Sequence, residues 1–167
     1  MLAPAEVAYI AKVSIFAALP ETSLLRIGTL AHRVDFDGPT VIFREGEAAK
    51  EMVVVLAGEL EVRKRGRDGS DTRIATLRPG DVAGEMALID IQPRSAAVRA
   101  LGATSLVVLT HADLALLYRE DAAAYTILIM NIAREISRRL RRVDGLLANL
   151  LVDLQAVWSS ALEAREL

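Results

Sequence analysis

Gly38, Gly46, Gly58, Gly66, Gly69, Gly80, Gly84 and Gly102 punctuate residues 34–110, and glycine recurring at this density breaks up regular helix. Between these glycines lie short apolar or alternating runs at 41–43, 52–56, 60–62, 74–77 and 105–109. Such runs, spaced about 8–12 residues apart and separated by turn residues, specify an all-β sandwich or barrel. Lys64-Arg65-Gly66-Arg67-Asp68-Gly69-Ser70 reads as a polar hairpin tip whose charges form a solvated turn.

The flanks have a different period. Up to Arg33 the chain is helical: one piece over 5–13, then a second after Pro20-Glu21-Thr22-Ser23, with Leu24, Leu25, Ile27, Leu30 and Ala31 on one side. Ile15, Phe16 and Leu19 are expected as anchors between the two. After Thr110, the run Thr110-His111-Ala112-Asp113 resembles a capping box ahead of Leu114, Leu116 and Leu117. Asp121 is placed to cap a much longer helix. In that helix Ile136, Leu140, Val143, Leu147, Leu150, Leu154, Val157 and Ala161 alternate steps of four and three, an a/d seam sustained over more than three heptads. Ile129 and Ile132 extend the stripe with a shifted phase. The seam has two uses open to it. It can pack on the chain's own β domain, or, beyond Leu147, where that domain is too small to cover it, it can self-associate. Gly145 marks a bend or a close backbone approach. The expected organisation is a helical segment at 1–33, a β-roll at 34–110, and helices with a dimer coil at 111–167.

Composition removes whole classes of function. Cysteine is absent from the 167 residues, which excludes disulfide scaffolds, thiolate zinc sites, iron–sulfur clusters and cysteine nucleophiles. The net charge of −2 gives no whole-chain basic footprint for nucleic acid, and 4% aromatic residues provide no stacking platform. The cluster Arg134, Arg138, Arg139, Arg141 and Arg142 is therefore read as a solvated helix face rather than a nucleic-acid patch. The longest uncharged apolar stretches, 100–112 and 122–133, fall short of the ~20 residues a spanning helix needs. Without a basic signal region at the start, a cytoplasmic location is expected. His32 and His111 lie far apart and outside the runs that would build a metal-binding cupin barrel. Ser95 has no histidine beside it, so no enzyme is read.

The chemistry concentrates in Pro79-Gly80-Asp81-Val82-Ala83-Gly84-Glu85-Met86-Ala87-Leu88-Ile89 and Pro93-Arg94-Ser95-Ala96-Ala97-Val98-Arg99-Ala100. Gly80 and Gly84 bracket a tight segment, and Glu85 to Leu88 can form one helical turn. Arg94 offers a guanidinium fork suited to phosphate oxygens, with the Ser95 hydroxyl beside it. An ionised Glu85 only accepts hydrogen bonds, which suits a sugar hydroxyl. Ala83, Ala87, Ala96 and Ala97 leave room for a ligand. A ribose phosphate satisfies both ends; equally, Glu85 and Arg94 can pair with each other across the loop.

The pair Gly84-Glu85-Met86-Ala87-Leu88 and Pro93-Arg94-Ser95-Ala96 resembles the phosphate-binding cassette of the cyclic nucleotide-binding domain. That domain is shared by the catabolite activator group, the protein kinase A regulatory subunit and cyclic-nucleotide-gated channels. Phe43-Arg44-Glu45-Gly46-Glu47, Val55-Leu56-Ala57-Gly58-Glu59-Leu60 and Leu77-Arg78-Pro79-Gly80-Asp81 support it, and the likeness covers about residues 16–150. It implies a mainly β fold: a jelly-roll β-roll (double-stranded β-helix) of about eight strands, N-terminal helices and a long C-terminal dimerisation helix. It implies Arg94 on the cyclic phosphate and Glu85 on the ribose 2′-hydroxyl. Gly84 and the amides near Met86 and Ala87 would line the cassette beside Ala96, with Ser95 at the phosphate or base and Val62 and Ile74 against the purine.

The likeness weakens in the long helix. Where the catabolite activator carries a threonine–serine pair, this chain has Val143-Asp144. Arg142 is then a candidate to stack on the purine and Asp144 to accept from an exocyclic amine, while Val143 serves the seam. Ser95 leans toward cAMP, with cGMP possible. Only 22 residues follow Gly145, too few for a winged helix-turn-helix. The expectation is a stand-alone sensor without a DNA-binding domain and outside the membrane. It would be a homodimer through 136–161 that signals to an effector protein by moving its helix. The rival readings are a ligand-independent dimeric scaffold with a degenerate pocket, and the sensor domain of a larger channel, kinase or transcription factor.

Overall fold

In the computed structural model, residues 1–90 and 92–163 are described, with side chains to Trp158. The chain divides into two compact units, Met1–Ile132 and the segment that begins at Ala133.

In the first unit, α1 (Pro4–Ile10) starts with proline in its first turn, and Glu6 accepts a hydrogen bond from the Ala3 amide at 2.7 Å. A 3-10 turn (Ser14–Phe16) follows, then α2 (Glu21–Leu30). Ile15, Phe16 and Leu19 are buried, as their role as anchors requires. The buried residues of α2 are Ser23, Ile27 and Gly28, whereas Leu25 is exposed. Gly28 explains the shift. A Cβ there would lie 2.6 Å from Val7 Cγ2, so glycine lets α1 approach α2 on that side.

Eight strands follow: β1 (His32–Phe36), β2 (Thr40–Phe43), β3 (Glu51–Ala57), β4 (Leu60–Arg65), β5 (Asp71–Leu77), β6 (Val82–Ala83), β7 (Ala97–Ala100) and β8 (Thr104–Thr110). A short α3 (Ala87–Asp90) sits between β6 and β7. The strands form two antiparallel four-stranded sheets, in the orders β1-β8-β3-β6 and β2-β7-β4-β5. This is a jelly roll. Phe43, Val53, Val55, Leu60, Leu77, Val98, Leu106 and Val108 fill the space between the sheets.

Three strands depart from the sequence reading. The segment containing His32 is not helical: it opens β1 opposite Val108. β6 has two residues, too few to show a period, and β7 lies inside the stretch read only as ligand chemistry. The hairpin tip is also shorter than expected, because Lys64 and Arg65 belong to β4 and pair with Thr72 and Asp71.

Thr110 caps α4 (His111–Glu120) through the expected box. Its Oγ1 accepts from the Asp113 amide at 3.2 Å, and the Asp113 carboxylate accepts from the Thr110 amide at 2.8 Å. Asp121 caps α5 (Ala122–Glu163), accepting from the Ala124 amide at 3.0 Å. The first turns of α5 bury Ala124, Leu128 and Ile132 at four-residue steps. Asn131 Nδ2 donates to the Ile15 and Ala17 carbonyls at 3.1 and 2.7 Å, which holds the 3-10 turn to α5.

The second unit is the remainder of α5, which runs through Gly145 without a break in helical structure. Glu135 pairs with Arg138 and Arg139 one turn on. Leu140, Val143, Leu147, Leu150, Leu154 and Val157 are all more than half exposed. The side chain of Ala161, the last seam residue, lies outside the described residues.

Candidate functional site

The site begins where β6 ends. Val53 pairs with Ala83 in register, and the chain then turns at Gly84 with φ +79°. Two hydrogen bonds fix the approach to this turn: Gly80 N–H to Val55 O at 2.9 Å and Val55 N–H to Asp81 O at 3.0 Å. After it the backbone closes on itself. The Ala87 amide donates to Gly84 O at 3.2 Å and the Leu88 amide to Glu85 O at 3.1 Å. The Ala87 amide is therefore engaged within the turn. Glu85 is buried at 3% exposure, Ala87 is buried, and Met86 is exposed.

Arg94 comes from the loop between α3 and β7. A backbone clamp holds it: its amide donates to Glu47 O, and its carbonyl accepts from the Gly46 amide, both at 2.9 Å. Its guanidinium lies over the Phe43 ring, with Cζ 3.5 Å from the centroid. The residue is 7% exposed, yet Nε and Nη1 are buried and have no hydrogen-bond partner. The alternative of Glu85 and Arg94 pairing across the loop is thus not made through either nitrogen. Burial pushes the Arg94 guanidinium down from its ordinary value, while the charges of Glu51, Glu47 and Glu85 pull the other way. A buried cation with two idle donors is costly unless an acceptor completes it.

Gly84 makes this arrangement possible. A Cβ at this position would lie 2.4 Å from Arg94 Nη1, 2.9 Å from Glu51 O and 3.1 Å from Phe43 Cε2. Glycine supplies both the left-handed backbone and the space for the guanidinium.

Gly84, Glu85, Ala87 and Arg94 are thus gathered at one end of the roll. Ala96 is half-buried, and Ser95 is exposed. Val62 packs against the core between the sheets, and Ala75 is its register partner. Ile74, in contrast, sits at the bulge between Val62 and Arg63 and is 59% exposed. Strand alternation from the buried Leu77 places Ile74 on the outward face, and Ala75, not Ile74, is the partner of Val62. Arg142, Val143 and Asp144 are exposed and belong to the second unit.

Phe43, Glu47, Glu51 and Lys64 escaped the sequence reading as site residues. Lys64 Nζ donates to Glu45 Oε1 at 2.7 Å and to the Ser95 carbonyl, tying β4 to the Arg94 loop. The Glu45 carboxyl is held below its usual range by Lys64 first and by the Arg65 amide second. The signal for Lys64 was the two-residue period through Leu60 and Val62. For Phe43 the sequence carries no comparable signal, because its partner lies in a distant loop.

A jelly roll with an arginine loop closed against a glycine turn belongs to the ligand-binding β-rolls. The cyclic nucleotide-binding domain family matches residues 33–121, more than half of the chain, and the protein belongs to that family. It is 24% identical over 142 residues to a CRP-like cAMP-activated global transcriptional regulator of Mycobacterium tuberculosis, covering 85% of this chain and 62% of that protein. It is 34% identical over 104 residues to a cyclic AMP receptor protein of Thermus thermophilus, covering 62% of this chain and 46% of the relative. The crystal structure of Thermus thermophilus catabolite activator protein matches with a TM-score of 0.72 at 28% identity, over 82% of this chain and 62% of that one. The chain spans less than two thirds of the length of these relatives. Among the described residues, no helix is long and apolar enough to cross a membrane.

Proposed function

We propose that this protein binds a cyclic nucleotide, cAMP in preference to cGMP, as a regulatory sensor. The observation that carries the reading is Arg94: a buried guanidinium, fixed by a backbone clamp, with Nε and Nη1 unpartnered. A cyclic phosphate supplies the missing acceptors and the opposite charge. Glu85 takes the ribose 2′-hydroxyl, with Gly84, Met86, Ala87 and Ala96 lining the cassette. Val62 provides the apolar side toward the purine, Ile74 faces away from it, and Ser95 inclines the site to adenine. The protein acts by binding and not by catalysis. The nucleotide shifts the population of α5 arrangements, to the extent that its affinity differs between them. The signal passes through protein contacts, including self-association, in its simplest form a homodimer through residues 136–161.

Isothermal titration with cAMP and cGMP tests this, using protein stripped of copurified nucleotide, with Arg94→Met alongside. Binding that weakens more than tenfold in the variant supports the sensor. No heat with either nucleotide from folded protein would leave the ligand-independent scaffold as the better reading.

A further inference from the structure

The seam of α5 fixes its heptad positions, since a to d is a step of three and d to a a step of four. Leu140, Leu147 and Leu154 therefore occupy a, and Ile136, Val143, Leu150 and Val157 occupy d. Leucine at a combined with β-branched residues at d favours coils of more than two strands; the reverse placement favours two. Every described a residue here is leucine, and three of the four d residues are β-branched.

The flanking positions give a second, independent indication. In a two-stranded coil, e and g border the seam and are commonly charged. Here Leu146 occupies g, and Leu151 and Trp158 occupy e, with exposures of 64%, 52% and 70%. Two strands would bury a and d and leave this apolar border in water. Neighbouring copies packed on both sides would cover it.

Charge sets the direction. In a parallel, in-register assembly, a g residue meets the e residue five positions further on in the next copy. Arg139 at g then meets Asp144 of a second copy, an opposite pair, and Leu146 meets Leu151, an apolar pair. The Arg139 guanidinium also pairs with Glu135 of its own helix at 3.4 Å.

We propose that residues 136–158 assemble four copies of this chain into a parallel bundle in which Leu146, Leu151 and Trp158 are buried between neighbours. The proposal rests on self-association through this helix and extends the pair to four.

Sedimentation equilibrium of the full chain reads the outcome. The expected mass is four times 18.1 kDa. Leu151→Lys with Trp158→Lys keeps a and d intact and should halve that mass. Exchanging the seam (Leu140→Ile, Leu147→Ile and Leu154→Ile with Ile136→Leu, Val143→Leu and Val157→Leu) should also give two chains. Far-UV circular dichroism checks that each variant is folded. A wild-type mass of two or three chains overturns the four-chain bundle and leaves self-association standing. A single-chain mass overturns both. Variants that keep the four-chain mass overturn the assignment of e and g to the interface.

Discussion

The Arg94 guanidinium rests on Phe43 with its Cζ 3.5 Å from the ring centroid, while Nε and Nη1 face no acceptor. The aromatic face compensates part of the charge and none of the hydrogen bonding. The fold thus holds a cation in position at the expense of its own stability, an arrangement that fits a binding group better than a structural one.

Replacing Arg94 with methionine separates these roles. Without nucleotide, an apolar chain of similar length on Phe43 removes the burial cost of the charge. The melting temperature should stay level or rise. With nucleotide, loss of a charge-assisted hydrogen bond costs about 1.5–3 kcal/mol, more than tenfold in affinity. Thermal melts with and without cAMP should show a stable variant that no longer gains from the ligand. A large loss of stability with unchanged affinity would assign Arg94 to the fold instead.

Gly84→Ala should destabilise the protein before any ligand is considered. Its Cβ meets Arg94 Nη1 and the Glu51 carbonyl, and its φ of +79° is unfavourable for alanine. Backbone strain alone is about 1–3 kcal/mol, and the contact with Arg94 adds displacement of the guanidinium. Urea unfolding measures the first effect and titration the second. A variant of wild-type stability and affinity would contradict the close approach.

The motifs and most of the strands could be read from the sequence because they depend on local rules: glycine at turns, a two-residue period, a capping box at Thr110. What escaped depends on tertiary context. β6 and β7 are too short to show a period and exist because neighbouring strands pair with them. Leu77, paired with Leu60 in the core, fixes the inward face of β5, and Ile74, three residues earlier, is therefore outward. Lys64, read as a solvated tip, bonds to Glu45 and the Ser95 carbonyl because the strand continues past the last apolar residue. The motif pointed to Arg94, but neither the Phe43 platform nor the idle nitrogens can be derived from its neighbours in sequence.

The junction of α4 and α5 should weaken in acid. Asp121 accepts from the Ala124 amide and from the Ser23 hydroxyl at 2.7 Å, and these bonds hold its carboxyl below the usual aspartate range. A lowered folded pKa gives stability that is fully present above the unfolded value. It is lost as the pH falls from about 4 through the folded value. Asp121→Asn keeps an acceptor at the cap without the titrating charge, so its stability should vary less with pH over that window. Acid melts of the two proteins compare the slopes; equal slopes would remove Asp121 from the account.

Trp158 is the chain's one tryptophan and is 70% exposed, so its emission reports on the second unit alone. If neighbouring copies of the chain cover Leu151 and Trp158 beside the seam, the indole moves from water to an apolar contact as concentration rises. Its emission should shift to the blue in step with the measured mass. Leu147→Asp puts a carboxylate from every copy at the centre of the seam, where like charges meet in low dielectric. That variant should keep the red emission of a hydrated indole at all concentrations, with the β-roll still folded by circular dichroism. A wild-type emission that stays red and independent of concentration would overturn burial of Trp158 between neighbouring copies, because a two-stranded coil covers Leu154 and leaves Trp158 at its border in water.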